Sequence, residues 1–338
     1  MRLGMRLVAA VLTLCAAAPL HAAAQGPDND PATITIPYRP EIGQRSIMRI
    51  IDEEIRFEDG GSYLKKHINI PIDTEVIGRH ADGFVVRWTY GRPETSARAA
   101  VAQNPVVVAI SDMVDGMQIE LEVDEIGAPQ RTRNLDEVRG HMAGHFEAML
   151  RKFPPDWRRR GIEETTVVFL EKTLEALLDG ARTMSMTEAM DAHVTKYPLP
   201  HLVRLESHRL GETIEKHIEA QTVLGGPTFP AIVSKRVLDF DPKTGRARIE
   251  WTQRFDPETA KDAVAAVLPR MAREFGMEIP KENMQKLSDL RIINWIQRWT
   301  YDCNVRTGRV ASAVAEETVE TSEGKLVSRK SVTITPVP

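Results

Sequence analysis

Few side chains in this sequence sit at spacings that chemistry could use. His141 and His145, in "HMAGHFE", lie one helical turn apart with Glu137 and Glu147 close by. Two histidines at that spacing can chelate a transition metal. A zinc hydrolase of the HExxH type would carry glutamate after the first histidine, and Met142 stands there instead. The pair therefore reads as histidines flanking an apolar helix face, and no metal or other cofactor is expected. Asp239, Asp241 and Glu250 sketch a calcium loop, but Lys243 and Thr244 occupy the positions that need an oxygen ligand and a glycine. Asp-Pro followed by Thr-Gly there reads as a turn between strands. "FPPDWRRRG", Phe153 to Gly161, sets an aromatic beside three arginines and reads as a solvated turn between helices. No phosphate-cradling glycine loop and no GxSxG elbow occurs.

Cys303 is the side chain that most invites a catalytic reading, and the strand around it argues against one. In "WTYDCNVRTG", Trp299, Tyr301, Cys303 and Val305 alternate with polar residues, the period of a half-buried strand. "MQIELEVDEIG" does the same with Met117, Ile119, Leu121 and Val123, and overlaying the two stretches sets Cys303 on Leu121. Each strand reaches a glycine turn, at Gly127 or Gly308, and then a return strand. Cys303 is expected to be a small apolar core residue, since no histidine or cation near it in sequence would activate a thiolate.

The likeness continues upstream. "GFVVRWTYGRPET" from Gly83 matches "GRARIEWTQRFDPET" from Gly245, setting Trp88 on Trp251, and each is preceded by further alternating runs. Such self-similarity predicts an internal repeat. Helical patterns fill the intervals. One runs from Leu135 to Phe153, starts at Asn134 and stops at Pro154–Pro155; Leu135, Val138, Met142, Phe146, Met149 and Phe153 form its apolar face. A second spans about Glu163 to Leu178, a shorter one Met186 to His193, and another follows Asp256–Pro257. "KYPLPH", Lys196 to His201, marks the break between halves.

The first residues form a signal peptide. Arg2 and Arg6 precede the apolar stretch "LVAAVLTLCAAAPL", which is too short to span a membrane, and "AAA" at Ala22 to Ala24 offers a cleavage site. Cys15 leaves with that segment, so Cys303 has no partner for an internal disulfide. The whole chain of 338 residues carries 44 basic against 48 acidic side chains, a net charge of −4, and loses two arginines on cleavage. That balance argues against a nucleic-acid partner. No later run is long enough for a transmembrane helix.

The expected fold class is therefore α+β. It comprises two similar antiparallel, curved-sheet halves with interposed helices packed on the sheets, over 33–196 and 201–338, after a signal peptide of 1–24. The signal peptide and the succession of alternating strands and helices resemble the half-barrel of periplasmic lipoprotein carriers and related envelope lipid-binding proteins. They also resemble uncharacterised secreted bacterial proteins with repeated sheet domains. This resemblance implies a non-catalytic periplasmic or secreted protein that binds an apolar or amphiphilic ligand. The alternative is an envelope interaction or scaffold module that binds another envelope protein, with a hydrolase the least favoured class. Met142, Phe146 and Met149 are the residues expected to line a ligand space, because methionine-bearing apolar faces can adapt to an acyl chain. N-terminal sequencing of the exported protein should begin at Gln25; a soluble cytosolic product that retains Met1 would contradict the signal-peptide reading.

Overall fold

The computed structural model describes residues 33–58, 61–95, 113–186, 200–204, 207–220, 228–259, 262, 292–322 and 324–337. Among the described residues antiparallel strands predominate, with two long helices, so the class is α+β and mainly β. Two compact units are present. The larger holds Met1–Arg39, Ile50–His67 and Tyr197–Ile334; the smaller holds Pro40–Arg49, Ile68–Lys196 and Thr335–Pro338. The helices expected beyond Thr259 and over Met186 to His193 lie wholly or mostly outside the described residues, as does most of the Lys196–His201 break.

The smaller unit is built on β3 (Gly61–His80), β4 (Gly83–Tyr90), β6 (Gln118–Asp124) and β7 (Pro129–Thr132), paired in that order. The two residues of β5 (Glu94–Thr95) add to β3. β2 (Arg45–Glu58) and β3 each divide between the two units. In the larger unit β9 (Thr213–Ala220), β10 (Phe229–Asp241), β11 (Arg246–Phe255), β12 (Ile292–Asn304), β13 (Arg309–Thr321) and β14 (Gly324–Pro336) pair in chain order. A separate two-stranded ladder joins β1 (Thr33–Ile34) to β8 (His208–Arg209).

Two register shifts recur in both ladders, and β12–β13 has a further one between Ile292 and Asn294. β3–β4 shifts register between Val76 and Gly78, and β10–β11 between Val237 and Asp239. β6–β7 shifts between Glu122 and Val123, and β12–β13 between Asp302 and Cys303. Phe84 pairs with Val123 as Ala247 pairs with Cys303. Matched through these bulges, Cys303 corresponds to Val123, which corrects the overlay on Leu121 by two residues. The cause is the period itself: a slip of one flips every side chain to the other face, whereas a slip of two preserves the faces and leaves no trace in the alternation. One ion pair recurs at matching positions with its signs exchanged, Arg87–Glu75 in one ladder and Glu250–Arg236 in the other, and each central residue has a second partner. Arg87 lies between Glu75, at 3.8 Å, and Glu120, at 2.9 Å. Glu250 lies between Arg236, at 2.6 Å, and Arg298, at 3.5 Å.

Helix α1 runs Leu135–Arg159 and α2 runs Glu164–Thr183. α1 does not stop at Pro154–Pro155. Two prolines remove two amide donors, but Phe153, Pro154 and Trp157 are buried, and the Phe153 and Trp157 rings stack at 5.6 Å. Packing thus carries the helix one turn past its breaker, and Asp156 pairs with Arg159 and Arg160 at its end. At the start, the Asn134 side chain makes no cap bond. Its Oδ1 accepts from the Glu120 amide (2.9 Å) and its Nδ2 donates to Gln118 O (3.0 Å), so it serves the edge of β6 where β7 has ended. The apolar stripes of α1 and α2 pack on each other. Among the described residues their core holds Phe146, Met149, Phe153, Trp157, Val167, Leu174, Leu178 and Ala181 with Met113. Neighbouring amphipathic helices joined by a short turn cover each other along these stripes, while Val138, outside that core, is also buried.

A strap of the larger unit fixes the β12–β13 turn. Asn304 Oδ1 accepts from the Arg306 and Thr307 amides, and Gly308 closes the turn with φ of 72°. A Cβ at Gly308 would stand 1.7 Å from Pro37 O. The Arg204 guanidinium lies 4.6 Å over the Tyr38 ring and donates to Gly308 O at 3.0 Å. Gly308→Ala should therefore destabilise the protein by about 1–3 kcal/mol, through left-handed strain and the clash with the strap. A melting temperature equal to that of the parent would contradict this packing.

Candidate functional site

Sequence reasoning placed its candidates on α1. Phe146 and Met149 are 4 % and 3 % exposed within the helix–helix core, and Met142 is half-buried at its margin. All three face other side chains of that core. His141 Nε2 bonds to Met113 O at 2.6 Å, and His145 is likewise engaged. Among the described residues no three His, Cys, Asp or Glu side chains cluster as metal ligands. The arginine run is neutralised: Arg158 bonds Glu164 and Glu171, each at 3.0 Å. Asp241 makes the turn expected of it, accepting from Lys243 N and Thr244 Oγ1. The Thr244 bond is the main reason its carboxyl is held below the usual range.

Cys303 is buried, and its thiol donates to Ala247 O at 3.5 Å. Burial, aided by the Asp302 charge, pushes its pKa up to about 12 against a small opposing pull from Arg204. It is a neutral thiol at physiological pH, as a core side chain should be.

The unusual chemistry lies on the inward face of the larger unit. Strand alternation puts Phe255, Trp251, Ile249 and Ala247 of β11 on one face with Trp295, Trp299, Tyr301 and Cys303 of β12. Phe229, Phe255 and Trp295 form a ring cluster, with centroids 4.4–5.9 Å apart. Trp251 meets Tyr301 edge-on at 6.1 Å. Through this apolar field runs a polar row set by register. Gln253 pairs with Gln297, Gln297 with Glu317, and Glu317 with Ser328, so four side chains on four strands stand side by side. Gln253, Gln297 and Ser328 are buried and Glu317 is partly so.

Glu317 organises the row. Its Oε1 accepts from Trp295 Nε1 at 2.7 Å and from Gln297 Nε2 at 3.0 Å. Burial raises its pKa above the ordinary 4.5, opposed by these two bonds and by the Lys330 charge. Three buried polar atoms on the same face find no partner among the described residues: Gln297 Oε1, Trp251 Nε1 and Tyr301 Oη. Each such atom costs about 1–3 kcal/mol relative to a satisfied one. Burial also raises the Tyr301 pKa, so the phenol stays protonated.

Sequence reasoning passed over this row, although the signal was there. "WIQRWTYDC" and "WTQRF" each put glutamine at an inward position between aromatics, where the alternation calls for an apolar residue.

No family model and no curated protein matches this chain. Solved structures similar to it include two of very different length. One, titled for lipid–protein interactions in lipovitellin, is 8 % identical and is matched over 88 % of this chain and 25 % of that one, with a TM-score of 0.38. The other, DynF from the dynemicin biosynthesis pathway of Micromonospora chersina, is 7 % identical over 94 % of this chain and 90 % of that one, with a TM-score of 0.18. This chain thus spans about a quarter of the lipovitellin chain, and likenesses at these scores carry no functional argument.

The raised Glu317 pKa gives a pH signature. The native state holds the Glu317 proton to higher pH than the unfolded chain does. Stability from this group is therefore complete below the ordinary value of 4.5 and is lost as pH rises through the raised one. Glu317→Gln keeps an oxygen for Trp295 and Gln297 to donate to and removes the titration. Its stability, followed by urea unfolding, should decline less than the parent's over that interval. Parallel profiles for the two proteins would contradict a buried, titrating Glu317.

Proposed function

We propose that this is a non-catalytic periplasmic or secreted protein, built from two similar curved antiparallel halves, which holds an amphiphilic ligand against the inward sheet face of its larger unit. The observation that carries this reading is the polar row Gln253–Gln297–Glu317–Ser328 set within aromatic rows, with three buried polar atoms lacking partners beside it. A sheet face that only had to pack would be served better by apolar residues at those four positions. Apolar surroundings with a few convergent polar groups are what a site for a partly polar molecule requires. A binding role also agrees with the state of Cys303, whose thiol is neutral.

Phe146 and Met149 of α1 serve this reading as scaffold of the other unit, since their apolar surface is already covered, with Met142 at the margin of the same core. Native mass spectrometry of the mature protein, purified from its own source, should show added mass that organic extraction releases. Ala315→Trp adds bulk between Trp299 and Lys330 on the same face. It should abolish the added mass while the circular dichroism spectrum is retained. Protein mass alone in the parent would favour the interaction-module reading.

A further inference from the structure

We infer that the polar part of the ligand is a neutral hydrogen-bond donor, a hydroxyl or an amide N–H carried on an apolar body, and that it bonds to Gln297 Oε1. The inference rests on the proposed binding role and names the chemical class that the same site selects.

The argument starts from which atoms of the row are already committed. Gln297 uses Nε2 on Glu317, which fixes the orientation of its amide and leaves Oε1, an acceptor, without a partner. Glu317 Oε1 already takes two donors, and a carboxylate only accepts. The group that fits against Gln297 must therefore donate. A carboxylate or a phosphate diester has no proton to give at neutral pH, and it would be brought beside the Glu317 carboxyl in a setting that screens charge poorly. Among the described residues the lysines bordering this face are engaged already: Lys235 Nζ lies 4.1 Å from the centre of the Trp251 ring, and Lys216, level with Gln253 through Val233, and Lys330 each have other partners. They offer no free counter-charge for an anionic head.

The remaining orphans suit a group that also accepts. Trp251 Nε1 can only donate, and Tyr301 Oη can do either. A hydroxyl or an amide meets both demands, since each has a donor and an acceptor. The flanking Phe229, Phe255, Trp295 and Trp299 supply the apolar surface for the rest of the molecule.

The test compares ligands that share a tail and differ in the head. Decanol, decanamide and decanoate are titrated into delipidated mature protein at pH 8, following tryptophan fluorescence and confirming stoichiometry by calorimetry. Decanol and decanamide should bind at least about tenfold more tightly than decanoate, the factor expected when one buried hydrogen bond is made in one case and not in the other. Gln297→Met, which removes the acceptor and keeps the volume, should bring the three affinities together. Should that variant fail to fold, the preference shown by the parent protein decides alone. Equal or tighter binding of decanoate by the parent would overturn the donor assignment while leaving the binding role in place. Absence of binding by all three would overturn both, and the orphan atoms would then be sites of buried water.

Discussion

A polar side chain on the inward face of a sheet must draw its partners from that face, and Glu317 is where the larger unit meets this constraint. The carboxyl sits in register with Gln297 and within reach of the Trp295 indole, and it takes one hydrogen bond from each. Two features of the row follow from those bonds. They fix the Gln297 amide so that its oxygen points away unpaired, and they hold the largest aromatic of the cluster, Trp295, fully buried beside the row. Burial works against the charge, so the carboxyl is tolerated only while its donors stay in place.

The ladder explains why such a row can exist at all. Antiparallel pairing sets directly opposed residues on the same face. Four consecutive strands therefore turn four isolated sequence positions, Gln253, Gln297, Glu317 and Ser328, into neighbours. The bulge at Asp302–Cys303 lies at the far end of β12 from this row and leaves its register undisturbed. Gly308 and the Pro37 strap close that far end, where Cys303 is buried as ordinary core.

The strands were legible in the sequence because alternation is a local property: Phe84, Val86, Trp88 and Tyr90 announce β4, and Trp299 to Cys303 announce β12. Their register was less so, since a two-residue slip preserves both faces, and Cys303 was accordingly set on Leu121 instead of Val123. The extent of α1 was misjudged because proline rules describe the backbone alone, whereas the Phe153–Trp157 stack and the burial of Pro154 come from tertiary packing. The surroundings of Met142, Phe146 and Met149 were hidden for a related reason. Methionines on a helix signal adaptable apolar surface but not what covers it, and here α2 does. The row on the sheet needs three register relations to become visible, and no single strand contains them. Each inward glutamine was nonetheless a local anomaly that could have been flagged.

The most direct test of the account is to follow the indole N–H resonances of Trp251 and Trp295 by two-dimensional NMR while decanol is added. Trp295 donates to Glu317 in the free protein, so its N–H should exchange slowly and keep its position. Trp251 Nε1 has no partner, so its resonance should move downfield as the ligand supplies one. A spectrum in which the Trp251 signal stays fixed at saturating ligand, or in which Trp295 exchanges freely from the start, would contradict a binding face organised by Glu317.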